Sequence, residues 1–366
     1  MEGPCPAAEA CCGGRFWGNV CSRELEWPAS IRRPVPIVVR QVPEKAALMT
    51  DSVSRASKGG CAAQTCEARR SWGRCFRAGW RFAGYLVAAY VAWCAVLYFM
   101  QDGIVFPREL AGSGDSTPPA GTVVMTEQIE GGGQVLAWFV AAPGLTPARP
   151  GPLVVFFHGN AELIDGQGDL VRAYGRLGCS VLLPEYRGYG QCGGSPSEVG
   201  IVQDAVRFLD RAAKLPGVDP SRIVLHGRSL GGGVSAQVAV HRPPTALVLQ
   251  STFTSTIPLA HGYGVPGFLS KHSFRTDRVV ADLKAPLLIF HGVRDSIIPV
   301  AHGRKLRDVA PGSTYVEYDC DHNDFPGSAD EDYWRTIEAF LVSAGVLGDR
   351  RGPGAAQPEP TTVPGG

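Results

Sequence analysis

Arg222-Ile223-Val224-Leu225-His226-Gly227-Arg228-Ser229-Leu230-Gly231-Gly232-Gly233 is the stretch that decides the fold. Arg222–His226 has strand character, and the residues from Leu230 to His241 have helical character. Between them stands a serine with a glycine two residues away on either side. A G-x-S-x-G pentapeptide alone is common and decides little. Placed between a strand and a helix, it makes the sharp turn that presents a serine hydroxyl at the carboxyl edge of a sheet. The helix behind it offers unpaired N–H groups and a positive dipole end to a developing oxyanion.

Outward from this turn, short β-branched runs alternate with helical stretches from about residue 120. The strand candidates are Thr122–Ile129, Val135–Ala142, Leu153–Phe157, Ser180–Leu183, Arg222–His226, Ala246–Gln250, Leu287–His291 and Thr314–Tyr318. Helical segments are expected near 162–177, 198–214, 230–241, 300–309 and 331–344. Ile201, Ala205, Phe208 and Ala212 recur at helical spacing with Leu209 beside them, a single buried stripe. No helix separates the first two strands, so they pair antiparallel. The others alternate with helices, which implies an α/β fold: a mostly parallel eight-stranded sheet with helices on both faces.

A serine nucleophile needs a base and an acid that orients the base. Both belong on loops after later strands, in the order serine, acid, histidine. The loop after Leu287–His291 offers Asp295, and the loop after Thr314–Tyr318 offers His322. The strand after the serine turn ends in Gln250-Ser251-Thr252 without a carboxylate. Asp319, Asp321 and Asp324 stand too close to His322 in sequence to orient it, and read as loop-capping groups. For the oxyanion, Leu230 supplies one N–H. The loop His158-Gly159-Asn160-Ala161 supplies the other, from Asn160 or its neighbour Ala161, with Asn160 preferred.

Other patterns read as structural. Gly188-Tyr189-Gly190-Gln191-Cys192-Gly193 matches a dinucleotide-binding fingerprint, but helical periodicity starts only near Glu198, beyond Ser195-Pro196-Ser197. His158, His226 and His291 each end a strand before a glycine, with no carboxylate-rich ligand pattern nearby, and read as core histidines. His241, His261, His272 and His302 read as helix or lid surface. No metal or cofactor is implied.

Residues 82–100 (FAGYLVAAYVAWCAVLYFM) carry no charge. Nineteen residues of helix span about 28 Å, enough for a bilayer core. Arg69, Arg70, Arg74, Arg77 and Arg81 precede the run. That bias predicts an uncleaved signal anchor with a cytoplasmic N-terminus and the large domain across the membrane. Residues 1–68 show no sustained period and read as a disordered leader rich in Cys, Gly and Pro. The Cys11-Cys12 pair reads as unpaired thiols, with lipidation the alternative. The remaining divisions are a basic flank and anchor at 69–101, a folded domain at 102–345 with a small lid at 251–285, and a disordered tail at 346–366.

Composition agrees with a packed domain. The chain has 366 residues, 45% apolar and 19% charged, which excludes wholesale disorder. Its net charge of +1 gives no footprint for nucleic acid. It has 11 cysteines, but they form no CxxC pair and no zinc spacing.

From about 100 to 345 the chain resembles the α/β-hydrolase superfamily, and more narrowly its membrane-anchored, small-lid members. The stretches that carry the resemblance are Gln101–Pro107, Phe157-His158-Gly159-Asn160-Ala161, Tyr186-Arg187-Gly188-Tyr189-Gly190, Gly227–Gly232, Asp295 with Ile298-Pro299, and His322-Asn323-Asp324. The resemblance implies a triad of Ser229, Asp295 and His322. Glu185 departs from the pattern, standing where an Asp is usual before Tyr-Arg-Gly-Tyr-Gly. The implied activity is hydrolysis of a carboxylic ester or thioester. Apolar residues in the lid, such as Phe253, Ile257, Phe268 and Leu269, fit a small-molecule or lipid-like ester substrate. A peptidase or aminopeptidase, and a non-catalytic binding protein on the same scaffold, are the alternatives.

Overall fold

The computed structural model describes residues 61–114, 117–325 and 330–348. The leader up to residue 60, with Cys11-Cys12, lies outside the described residues. The chain divides into two units, Met1–Ser71 and Trp72–Gly366. Of the first, only the backbone of the opening turns of helix α1 (Cys61–Val105) is described. The second holds everything discussed below.

Helix α1 is longer than the uncharged run predicts, because it takes in the basic flank and the end of the expected leader. Cys61–Ser71 has neither glycine nor proline and contains Ala, Gln, Glu and Arg, which favour helix. The segment Phe76–Leu110 is long and apolar enough to cross a membrane. Its side chains are mostly bare: Phe82, Leu86, Val87, Val91 and Phe99 are exposed. A continuous apolar surface of this kind is rare on a water-soluble domain. The helix is therefore a candidate membrane anchor.

The sheet strands are β1 (Val123–Gln128), β2 (Gln134–Val140), β3 (Gly151–Phe157), β4 (Ser180–Pro184), β5 (Val218–Arg228), β6 (Ala246–Gln250), β7 (Leu287–Gly292) and β8 (Thr314–Tyr318). They form one eight-stranded sheet in the order β1-β2-β4-β3-β5-β6-β7-β8. Strand β2 pairs antiparallel with β1 and β4, and the remaining pairs are parallel. Strand β5 starts at Val218, earlier than its β-branched run, because it admits Pro220 in its opening residues. A proline there reads as a turn, yet the start of a strand tolerates it, and the pairing with β3 shifts register at that end.

The helices are α2 (Gly168–Arg176), α3 (Glu198–Ala212), α4 (Leu230–His241), α5 (Ile257–Gly262), α6 (Thr276–Asp282), α7 (Ala301–Val309) and α8 (Glu331–Ser343). Alternate residues of β3 feed opposite faces. Leu153, Val155 and Phe157 pack with Phe208 of α3, Val234 of α4 and Leu306 of α7. Val154 and Phe156 pack with Tyr174 of α2 and Ile337 of α8. The stripe read in the sequence, Ile201, Ala205, Phe208, Leu209 and Ala212, is the buried face of α3. Ser197 caps that helix by accepting from Gly200 N, which removes one orphan donor.

Two expectations need correction. The tail read as disordered from 346 begins with two ordered residues, Val346 and Leu347, buried against the second face. Gly345, at φ 72, turns the chain back. Val346 N then donates to the Leu341 carbonyl at 2.9 Å and Gly345 N to that of Val342 at 3.0 Å, a Schellman cap with its apolar follower. His272, expected on the lid surface, is buried, with Nε2 2.9 Å from Asp102 Oδ1. A lone histidine carries no periodicity to reveal this.

Candidate active site

Strand β5 ends on Arg228 and helix α4 opens on Leu230, leaving Ser229 at the turn with φ 54° and ψ −119°. A side chain at positive φ is strained and needs support. Ser229 N donates to the Gln250 carbonyl at 2.9 Å. The Ser229 carbonyl accepts from Thr252 Oγ1 at 2.7 Å and Gly232 N at 3.0 Å. The flanking glycines are obligatory. A Cβ on Gly227 would stand 2.1 Å from the Gly231 carbonyl oxygen, and one on Gly231 would stand 2.0 Å from that of Phe157.

Ser229 Oγ lies 3.0 Å from His322 Nε2, and His322 Nδ1 lies 2.7 Å from Asp295 Oδ2. All three residues are buried. The other Asp295 oxygen accepts from Ile297 N at 3.0 Å and Ile298 N at 2.7 Å, so the carboxylate is fixed from both sides. Asp321 has the loop-capping place read for it, accepting from Ser296 N and His322 N at 2.7 Å. Those backbone N–H groups, Ser296 first, hold its carboxyl below the usual range. The predicted site residues therefore converge from the ends of β5, β7 and β8. Asn160, Ala161 and Leu230 line one cavity with Ser229 and His322, of about 620 Å³. Tyr189 donates its hydroxyl to Asn160 Oδ1 at 2.9 Å, which fixes that side chain.

Known proteins agree with this architecture. The serine aminopeptidase S33 family model matches residues 148–262. The alpha/beta hydrolase domain-containing protein WAV2 of Arabidopsis thaliana is 34% identical over 290 residues, covering 71% of this chain and 92% of that protein. The chain belongs to the α/β-hydrolase superfamily. An uncharacterized protein of Mycobacterium tuberculosis is 35% identical over 259 residues, covering 69% of this chain and 88% of that one. The thermophilic esterase Est2 of Thermogutta terrifontis superposes with a TM-score of 0.51 at 20% identity, covering 65% of this chain and 99% of that one, a likeness of fold.

Several residues of this hydrolase's cavity escaped sequence reasoning. Arg228, the first variable residue of the pentapeptide, forms an ion pair with Glu162. Glu162 also accepts from Gly159 N at 3.0 Å, and Arg228 Nη2 donates to the His322 carbonyl at 3.3 Å. This pair ties the loop after β3 to the histidine loop across the serine. Its signal was the opposite charges alone, and only the neighbouring of β3 and β5 brings them together. Ile104, Val105 and Pro107, at the end of α1 and just beyond, also wall the cavity, as does His302. His302 Nδ1 lies 3.2 Å from Thr254 N, so this residue too is more than helix surface.

The strand-end histidines each have their own partner. His158 Nε2 lies 2.9 Å from Glu185 Oε1. Burial opposes charging of His158, but the Glu185 carboxylate outweighs it and raises the pKa. The Glu185 substitution thus keeps a carboxylate in contact with the core, and its other oxygen accepts from Ile164 N at 3.2 Å. His226 Nδ1 lies 2.8 Å from the Tyr174 hydroxyl, and burial drives its pKa down to about 3. His291 Nε2 donates to the Ile298 carbonyl at 2.8 Å, and burial lowers its pKa also. The glycine-rich decoy folds on itself, with Gly188 N donating to the Gly193 carbonyl at 3.0 Å, and opens no helix.

Proposed function

We propose that the chain is a membrane-anchored serine hydrolase that cleaves a carboxylic ester or thioester of a hydrophobic acyl group. The observation that carries this reading is the line of contacts from Ser229 Oγ to His322 Nε2, 3.0 Å, and from His322 Nδ1 to Asp295 Oδ2, 2.7 Å. His322 takes the Ser229 proton as Oγ attacks the carbonyl carbon. Asp295 holds the imidazole tautomer and stabilises the imidazolium. The N–H groups of Leu230 and Asn160 receive the oxyanion. His322 then protonates the leaving oxygen or sulfur, and an acyl-enzyme on Ser229 remains. Water, deprotonated by His322, attacks that acyl group and returns Ser229 to its starting state.

The acyl preference rests on the cavity wall, where Ile104, Val105, Leu230, Phe253, Leu259 and Ile298 give an apolar lining. The anchor reading rests on the bare apolar surface of α1. The proposed orientation, with the N-terminus cytoplasmic and the hydrolase domain opposite, rests on the basic flank before the apolar run.

A peptidase reading has one supporting finding, the serine aminopeptidase family match. An aminopeptidase must hold the substrate amine with a free carboxylate. Glu162 is the carboxylate on the cavity wall among the described residues, and it is already paired with Arg228. In the lid, Asp277 is held by Arg275 through bonds of 2.8 Å. The ester reading is therefore preferred. An acyl-length series of p-nitrophenyl esters beside leucine p-nitroanilide tests it on the purified full chain. Turnover rising from acetyl to octanoyl is the expected result. Faster cleavage of the anilide than of every ester overturns it.

A further inference from the structure

The apolar wall of the cavity continues outward, between the lid and α1. A second, narrow gap of about 40 Å³ lies there, lined by Leu97, Ala260, Tyr263, Val265 and Leu269 among others. Ile104, Val105, Thr256 and Leu259 line both this gap and the cavity of Ser229. The two spaces therefore share a wall, and the gap adjoins the cavity of Ser229 on the side where Leu97 of the apolar run stands.

The lid reaches far along that helix. Tyr90 donates its hydroxyl to the Gly264 carbonyl at 2.9 Å, and Trp93 Nε1 donates to that of Tyr263 at 3.0 Å. Tyr90 and Trp93 lie inside the uncharged run 82–100. Tyr90 is ten residues before Met100, about 15 Å of helix. If α1 crosses a bilayer, the lid tip sits below the membrane surface with it. Phe268, in the same lid, is 86% exposed, an apolar ring facing outward.

We propose that the gap is the port through which the acyl chain of a membrane lipid ester passes from the bilayer to Ser229. This rests on the hydrolase reading above and names its substrate source. The chain lies between α1 and α5 while its carbonyl reaches the serine, so the lipid never crosses water. The chemistry remains the acyl transfer already described.

The test uses full-length Ser229→Ala protein in phosphatidylcholine vesicles, with a palmitoyl ester carrying a mid-chain diazirine. Ser229→Ala preserves the ester during irradiation. The expected adducts fall on Val105, Thr256 and Ala260, above the level on Phe82 and Val87, which serve as the plain bilayer reference. Ala260→Trp, or Leu97→Trp from the opposite wall, lowers those adducts about tenfold, as the loss of about two buried methylenes implies. In the otherwise wild-type chain the same substitutions lower the ratio of vesicle-borne palmitoyl to soluble butyryl ester turnover by a similar factor. Adducts confined to the bilayer reference, or an unchanged ratio in both folded variants, overturn the port. If Ser229 fails to label with a fluorophosphonate while the gap adducts form, the hydrolase reading falls and the acyl site stands. Labelling without gap adducts sinks the port alone.

Discussion

The turn at Ser229 is closed chiefly by backbone against backbone, with Thr252 Oγ1 the side chain that joins it, whereas the lid is held to α1 by side chains reaching across the fold. At the turn, the Gly227 and Gly231 positions leave no room for a Cβ against main-chain oxygens. At the lid, Tyr90, Trp93 and Gln101 donate to the carbonyls of Gly264, Tyr263 and Leu269 at 2.9, 3.0 and 2.9 Å. Backbone packing of the first kind has no alternative arrangement, so it suits a nucleophile that must be held in a strained conformation. A few side-chain bonds of the second kind are each worth about 1 kcal/mol. They suit a segment that opens and closes over a cavity. In the proposed function the first region fixes the chemistry, and in the proposed port the second admits the substrate.

The largest expected effect separates chemistry from scaffold within the rigid region. Ser229→Ala lowers kcat on a p-nitrophenyl ester by on the order of 10⁴–10⁶, with circular dichroism and Tm close to wild type. A variant retaining a tenth of the activity breaks the nucleophile assignment.

Next comes the scaffold itself. Gly231→Ala drives a methyl into the Phe157 carbonyl and costs roughly 4 kcal/mol or more, read as lost soluble yield or a large fall in Tm. A stable, active Gly231→Ala protein contradicts the backbone-packed turn.

The third prediction uses pH. His226, in β5 beside the turn, has a folded pKa of about 3 against an ordinary 6.5. Its neutral form is the one folded into the core, so its contribution is intact above 6.5 and is lost as pH falls. The loss approaches about 1.4 kcal/mol per pH unit below the ordinary value. Chemical denaturation between pH 7 and 4 should show stability falling with pH, with His291 contributing in the same direction, and His226→Leu should make the fall less steep. An equally steep slope in the variant removes His226 as the cause.

The smallest effect lies in the lid. Gln101→Ala removes a bond to the Leu269 carbonyl and the acceptor of Lys271 N, at 2.9 and 2.8 Å. Amide hydrogen exchange across 257–272 should speed up several-fold, as a loss of about 1 kcal/mol implies, while exchange at the serine turn stays unchanged. Equal acceleration in both regions erases the distinction between them.

The same contrast decides what could be read in the sequence. The eight strands, the stripe of α3 and the serine turn are local patterns of period and glycine placement. Asp295 and His322 were legible because the order of strands fixes where their loops emerge. The Arg228–Glu162 pair, the depth of His272 and the wall supplied by Ile104 and Val105 join residues distant in sequence, and no local period announces them. Val346 and Leu347 are an intermediate case. Gly345 followed by an apolar residue after a helical stretch is the signature of a Schellman cap, and it was present in the text of the tail.

The proposed chemistry requires Ser229 to be an activated nucleophile. The direct measurement is reaction of the full chain in detergent with a fluorophosphonate probe, followed by peptide mapping. The expected result is one phosphonylated residue, Ser229, absent in Ser229→Ala and formed far more slowly in His322→Ala. A folded wild-type chain whose Ser229 stays unmodified, or reacts as fast without His322 as with it, contradicts the account.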